Sequence, residues 1–400
     1  MFNKFLIILF FFACYLSFSS HAIGTPLIAL REAQNCDGCH NGGRGQKPFF
    51  ERRCTLDCQG CHIDPSGAGP RNQWGAYYTN EDLAMFNFFK PADPMKDESR
   101  IDFHYDGRII AQEIQDGRDS IFPMSSEFSV RLRPFIRYLH FTYQNLLLGR
   151  IDDENFRIVR EGDRRFRERY SVMVDNLPLN TYIRASRGIP TYGLRRPNHS
   201  LWIRQRIGLD QYATTEALEI GGTPNVPFYR VSLMTGDPYV AKDQRQKGVS
   251  YHAGMRGVTL GWHINGSGWK TKSEADEIDM RAFGGGFNVF GVLLYGERNW
   301  RKVHSVDGSE TAEPSEADPN GLHPSSVISE YTIAYAGITG VMFGSVLEKL
   351  DDASRDSKRT NFFLDLHPIP FLQLEYWQRN ETGTRQVKDQ LAILHLLADF

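Results

Sequence analysis

The stretch "NFFLDLH" at 361–367 sets Phe362, Leu364 and Leu366 on one side of an extended chain and Asp365 and His367 on the other. Successive side chains of a strand point to opposite faces, so this spacing marks a strand with one apolar and one polar face. The same period returns elsewhere. "FLQLEYWQ" at 371–378 sets Leu372, Leu374 and Tyr376 opposite Gln373, Glu375 and Trp377. "SEYTIAYAG" at 329–337 sets Tyr331, Ile333 and Tyr335 opposite Thr332, Ala334 and Ala336. "LWIRQRIGL" at 201–209 sets Leu201, Ile203, Ile207 and Leu209 opposite Arg204 and Arg206, and is expected to be a strand as well. Turn-rich pieces such as "DDASRDS" at 351–357 and "NETGT" at 380–384 separate the runs.

A water-soluble sandwich would alternate in the same way, but two features favour a transmembrane antiparallel β-barrel. The polar face repeatedly carries arginine: Arg131, Arg133 and Arg137; Arg165, Arg167 and Arg169; Arg184; Arg204 and Arg206. A membrane barrel turns such residues into its lumen. The chain also ends in "LAILHLLADF" at 391–400, with Phe400 in phase with Ala398, Leu396, Leu394 and Ala392, although Leu391, Ile393 and Leu397 make the other face apolar too. A terminal aromatic on a last strand resembles the recognition signal of bacterial outer-membrane barrels. At about 9–11 residues per tilted strand, residues 100–400 give roughly 14–16 strands, an even number. A barrel of that size keeps a lumen. Val303–Ser326 is the longest loop candidate; it carries Asp307, Glu310, Glu313, Glu316 and Asp318 without Lys or Arg. It reads as a solvated loop, with cation attraction at a pore mouth as the sharper alternative.

Composition agrees. The 400 residues include 27 Phe, 17 Tyr and 36 Gly, and the net charge is −2, which implies no general attraction to nucleic acid. Beyond the first twenty residues no apolar run approaches the ~18–20 residues of a membrane helix. Residues 1–22 have the form of a secretory signal: Lys4, an apolar run from Phe5 to Phe18, and Ser20-His21-Ala22 as the small-x-small site.

Residues 23–99 have a different texture from the alternating region. They hold every cysteine outside the signal, are rich in Gly and Pro ("PSGAGP" at 65–70), and alternate little. A unit of that size leans on a covalent or metal staple. "CDGCH" at 36–40 and "CQGCH" at 58–62 supply one. Cys36, Cys39, Cys58 and Cys61, with eighteen residues between the pairs, fit a zinc ribbon. A ribbon leaves His40 and His62 unexplained, although each directly follows its second cysteine. Covalent haem c explains both: each thiol pair adds to the vinyl groups of one haem, and the adjacent His becomes the proximal iron ligand. Two haems per chain are therefore expected, with Cys54 left as an inert thiol. The distal ligands are open. No third His stands between Ile23 and Arg100, which leaves Met85 and Met95 as soft ligands there. "RIDFHYD" at 100–106 places His104 on the polar face of the first strand, and His252, His263 and His367 also fall on polar faces.

"CQGCHIDPSGAGPRNQWGAYY" at 58–78, ahead of the alternating region, resembles the haem segment of bacterial outer-membrane porin–cytochrome c fusion proteins, in which a short c-type cytochrome precedes a barrel. The order of parts is similar to that of the fused cytochrome–porins of iron-oxidising bacteria, whose familiar members carry one such motif where this chain has two. The resemblance implies haem linkage at the four cysteines, iron ligation at His40 and His62, and electron transfer across the outer membrane rather than enzymatic catalysis. It also implies partners: membrane lipid, a periplasmic electron carrier, and an electron donor or acceptor outside the cell. The unit at 23–99 is expected to start on the periplasmic side. A solute porin favouring anions, with the haem unit as plug or docking module, is the rival reading.

Overall fold

The computed structural model describes residues 83–86 and 101–399, apart from 115–117, 134–137, 149–165, 194–200, 210–212, 224–225, 258–260, 306–324, 353–354 and 384–385. The haem motifs, Cys54, Met95, Arg137, Arg165, Phe400 and the acidic residues of the 303–326 stretch lie outside the described residues.

Sixteen antiparallel strands close into one barrel, each bonded to its sequence neighbours. They are β1 (Ile101–Ile114), β2 (Arg118–Leu132), β3 (Leu139–Leu148), β4 (Phe166–Leu177), β5 (Thr181–Gly188), β6 (Thr215–Gly222), β7 (Pro227–Gly236) and β8 (Lys247–Gly257). The second half is β9 (Trp262–Lys272), β10 (Asp276–Val289), β11 (Val292–Ser305), β12 (Ser325–Ile338), β13 (Val341–Asp352), β14 (Arg355–Ile369), β15 (Leu372–Thr382) and β16 (Val387–Asp399). β1 closes the ring on β16, with His104 opposite Asp399 and Ile114 opposite Asp389. The start of β1 and the end of β16 therefore lie at the same end of the barrel. Closure removes the open strand edge, which hydrocarbon could not satisfy. No helix among the described residues is long and apolar enough to cross a membrane; the strands are the candidates for crossing.

The outer surface carries the apolar phase. Phe103, Phe128, Tyr143, Leu233, Ile264, Phe283, Tyr331, Ile333, Phe362 and Leu364 are all exposed. In water such a belt would be an aggregation surface; against lipid it is the expected face. The inward phase is polar where the sequence indicated it: Asp365, His367, Thr332, Arg131, Arg169 and Arg184 are buried. The strand count meets the upper expectation. Pro123 in β2 sits opposite Ile109, where the β1–β2 register shifts, a place where a missing N–H does least harm. At the end shared by the termini the turns are short. β10 passes to β11 through Phe290 and Gly291, both at positive φ (51° and 81°), as a two-residue hairpin of matching twist requires.

Two expectations need correction. "LWIRQRIGL" is not a strand: Trp202–Gln205 forms a short helix, α1, between β5 and β6. Leu201, Trp202, Ile203, Arg204, Ile207 and Leu209 are all buried. The apolar residues occur at both odd and even positions, and when both sides of a segment are buried, period two no longer distinguishes a strand. The 303–326 stretch is also shorter as a loop than expected, because Val303 belongs to β11 and Ser326 to β12.

Candidate functional site: the lumen and its inserted segment

The segment at 201–209 lies inside the barrel. Its apolar side chains join one cluster with inward residues of the facing strands, among them Leu293, Ile328, Val346, Leu350, Phe363, Trp377, Leu391 and Ile393. This accounts for the two apolar faces of β16: one meets lipid, and Leu391 and Ile393 of the other meet the cluster. Trp377 stacks on Phe363 with ring centroids 4.9 Å apart.

Polar contacts fix the segment's register. The Trp202 amide donates to Glu348 Oε1. Arg359 Nε donates to Glu348 Oε2 at 2.7 Å, and its guanidinium lies 4.6 Å over the Trp202 ring. Asn361 Nδ2 donates to the same Glu348 oxygen at 2.8 Å. Arg204 pairs with Glu297 at 3.6 Å. Upstream, the Gly193 amide donates to Ser267 Oγ at 2.8 Å and the Thr191 hydroxyl donates to Glu219. Burying Trp, Leu or Ile is worth about 1.5–3 kcal/mol per side chain. A buried ion pair comes close to breaking even against its desolvation. Apolar packing thus holds the segment in the lumen, and the carboxylates orient it.

Charge in the rest of the lumen is mixed, with arginines more numerous on one wall. β2, β4, β5, β7 and β8 turn Arg131, Arg169, Arg184, Arg230 and Arg256 inward. Glu127 faces Arg169 at 3.6 Å, and Glu219 faces Arg184 at 3.1 Å. Across the barrel Glu297, Glu330 and Glu348 are each no more than 1 % exposed. The arginine face was legible in the sequence; the opposing acidic face was missed. Glu330, Glu348 and Glu297 have the inward phase of their strands, and that phase was the signal available.

The distal-ligand candidates fall at the end shared by the termini. His104 faces inward three residues into β1 and is 3 % exposed. His367 faces inward two residues before the end of β14 and is 2 % exposed. His263 also faces inward at the start of β9, whereas His252 lies farther up β8. Met85 comes to the same end: its amide donates to the His367 carbonyl at 2.9 Å, and the Phe86 amide donates to the Pro368 carbonyl at 3.0 Å. No cluster of three or more His, Cys, Asp or Glu suited to a metal ion occurs among the described residues.

Comparison with solved structures agrees with this geometry. OmpT, an outer membrane protein of Vibrio cholerae, superposes with a TM-score of 0.53 at 10% identity, covering 76% of this chain and 99% of that one. Its loop L8 deletion mutant gives 0.54 at 12% identity, over 74% and 98%. OmpF of Salmonella typhi, solved in complex with daunomycin, gives 0.53 at 9% identity, over 75% and 97%. The fold is that of an outer-membrane porin. No protein-family model matches the chain, and no curated protein does. In each of the three superpositions about a quarter of this porin-type chain lies outside the matched part.

Proposed function

We propose that this porin-type protein resides in the outer membrane and holds a dihaem c-type unit at its short-turn mouth, moving electrons between the periplasm and the cell exterior. The observation that carries the reading is the pairing of "CDGCH" and "CQGCH" with a sixteen-stranded barrel whose β1 comes after them in the chain. Cys36, Cys39, Cys58 and Cys61 would hold the haems and His40 and His62 would ligate their irons. Bound haem supplies a one-electron site. The barrel contributes a wall that keeps lipid from that site, and the hydrocarbon it crosses is about 30 Å thick. Met85 and Phe86, bonded to the end of β14, tie the unit to the barrel rim. When bound, the haems would pass one electron at a time between a reduced carrier on one side of the membrane and an oxidised partner on the other.

The barrel by itself supports a second reading more directly: a solute porin whose haem unit is a docking or plug module. Its inward arginines are the feature behind the anion preference, and the acidic wall opposite them works against a strong one. The deciding experiment places the mature protein in liposomes that enclose a redox dye, with a membrane-impermeant reductant or oxidant outside. The wild type should change the dye's redox state, and a His40→Ala, His62→Ala double variant should not. Equal behaviour of the two, with solute flux retained, would leave the solute-porin reading standing.

A further inference from the structure

Lysine and arginine are sorted between the two faces of this barrel. Between Asp97 and Ala241 the sequence contains no lysine. Every lysine found in a strand comes from β8 onward: Lys247, Lys270, Lys272, Lys302, Lys349, Lys358 and Lys388. All of them have the outward phase of their strands, that of the exposed Val249, Ile264, Trp300, Leu347 and Phe362, whereas Arg131, Arg169, Arg184, Arg256 and Arg359 are buried inside. Each lysine also stands close to the strand end opposite the short-turn mouth. That end carries the longest connections, between β3 and β4, β5 and β6, and β11 and β12. Long loops mark the cell-exterior side of a bacterial barrel.

Strand register brings these lysines together. Lys247 of β8 stands directly opposite Lys272 of β9, and Lys349 of β13 directly opposite Lys358 of β14. Like charges at opposed positions destabilise a sheet. Lys349 Nζ lies 3.4 Å from Asp351 and Lys270 Nζ lies 3.0 Å from Glu277, but among the described residues no ion pair holds Lys247, Lys272 or Lys358. A lysine facing hydrocarbon is costly at mid-membrane and nearly free at the interface. The lysines therefore mark the headgroup level, with Trp300, Leu347 and Phe362 below them against the acyl chains. The other half of the same rim is acidic. Its outward groups are Glu113 of β1, Glu168 of β4 and Glu216 of β6. Tyr143 donates to Glu168 at 3.1 Å and Tyr170 to Glu216 at 2.8 Å. Among the described residues of β3 to β6 no lysine or arginine faces outward.

We propose that the lysine arc of β8 to β14 binds the phosphate monoesters of an outer-leaflet glycolipid of the lipid A class, one phosphate bridging each opposed lysine pair. A phosphate monoester carries about −1.5 to −2 charges at pH 7, which matches two ammonium groups; the phosphodiester of an ordinary phospholipid carries one. An anion so placed turns each repulsive lysine pair into a favourable one. The long lysine stem lies along the apolar belt while its head reaches the phosphate. The acidic half of the rim repels the same headgroup, so the lipid is held on one side of the barrel. The inference rests on the outer-membrane residence proposed above and does not depend on haem.

The test uses the full mature chain in a neutral detergent. Diphosphoryl lipid A, its dephosphorylated form and phosphatidylglycerol are each added, and retained lipid is counted by native mass spectrometry. Folding is checked by the faster gel migration of unboiled protein, and insertion by flotation with phosphatidylcholine vesicles. Each lysine at an anionic surface is worth about fivefold in affinity. The wild type should therefore hold diphosphoryl lipid A at least about tenfold more tightly than the dephosphorylated form. A Lys247→Gln, Lys272→Gln, Lys349→Gln, Lys358→Gln variant should lose that preference, and arginine at the same four positions should keep it. A Glu168→Gln, Glu216→Gln variant should match wild type. A folded quadruple glutamine variant that still prefers diphosphoryl lipid A as wild type does overturns the proposal. Equal retention of phosphatidylglycerol by the wild type overturns it too, since the arc would then sense charge alone. If the quadruple variant does not fold, an unchanged preference in the Lys247→Gln, Lys272→Gln variant and in the Lys349→Gln, Lys358→Gln variant overturns it equally. A folded wild type that does not insert into vesicles overturns the residence reading and the proposal with it.

Discussion

The two walls of the lumen obey one strand periodicity and end up as different materials. From β2 to β8 the inward phase is largely Arg, Ser, Gln and His, as in Arg131, Gln144, Arg169, Ser232 and His252. From β10 to β16 it mixes large apolar groups with carboxylates and other polar groups: Glu330 stands beside Ile328, Glu348 beside Val346 and Leu350, and Asp365 between Phe363 and His367. The outer apolar belt is the same on both sides, because lipid asks the same of every strand. The difference between the walls therefore reports what each one faces inside. The second wall is matched to α1 and its neighbours, and in that half the barrel has a core. The first wall is left mostly to polar groups.

The largest effect should come from removing the anchor of the cored half. Trp202 is 1 % exposed and sits between the apolar wall and the Arg359 guanidinium. Truncating a buried Trp costs about 3–5 kcal/mol, enough to release a segment that few other groups of its size retain. Trp202→Ala should raise single-channel conductance in planar bilayers several-fold over wild type, and Trp202→Phe should raise it little. Unchanged conductance in a folded Trp202→Ala protein would mean that the segment does not obstruct the lumen, and the contrast between the walls would lose its functional content.

A smaller effect is expected on the polar side. Arg169 Nη1 lies 3.6 Å from Glu127 Oε2. Arg169→Ala leaves that carboxylate without this partner and shifts the wall's charge by one unit. Lumen charge tunes selectivity, so the reversal potential in a salt gradient should move toward cations by up to a few-fold in permeability ratio. A same-sized shift from Glu348→Gln on the opposite wall would show that ions sense both walls alike, which the packing there argues against.

The barrel was legible because lipid imposes one simple rule on every strand. Phe362 and Leu364 point out and Asp365 and His367 point in, as the alternation of "NFFLDLH" requires, and the same holds for Tyr331 and Ile333 against Thr332. The inserted segment was not legible, because Trp202, Ile203 and Arg204 are buried on all sides and a short segment so placed carries no period of its own. The choice between a strand and a lumen insert depended on contacts with Glu348 and Arg359, far away in the chain. The histidines at the mouth were half legible. Strand phase put His104, His263 and His367 inward, but only the structure brings Met85 against Gly340 and the end of β14.

The smallest predicted effect tests whether the polar half is braced from outside its own interior. Asp237, just past β7, joins three strand ends: Arg187 of β5 pairs with it at 3.1 Å, Thr214 before β6 donates to it at 2.5 Å, and the Tyr239 amide donates at 2.9 Å. Arg187 also lies 4.1 Å over the Tyr239 ring. Burial pushes the Asp237 carboxyl up, but the Thr214 and Tyr239 hydrogen bonds together with the Arg187 charge outweigh it and hold the group below its ordinary value. A carboxylate depressed in the folded state stabilises fully above its unfolded value, about 3.9. That contribution fades as pH falls through the lower folded value. Hydrogen–deuterium exchange of residues 237–246, corrected for intrinsic rates, should therefore show constant protection from pH 7 to about 5. Protection should fall only on stronger acidification, by roughly 1–3 kcal/mol of opening free energy, the worth of a hydrogen bond to a charged group. Asp237→Asn should show the low-pH level of protection already at pH 7 and change little on acidification. If the variant matches wild type at pH 7, the carboxylate is not what closes this rim, and the polar half is held by its strands alone.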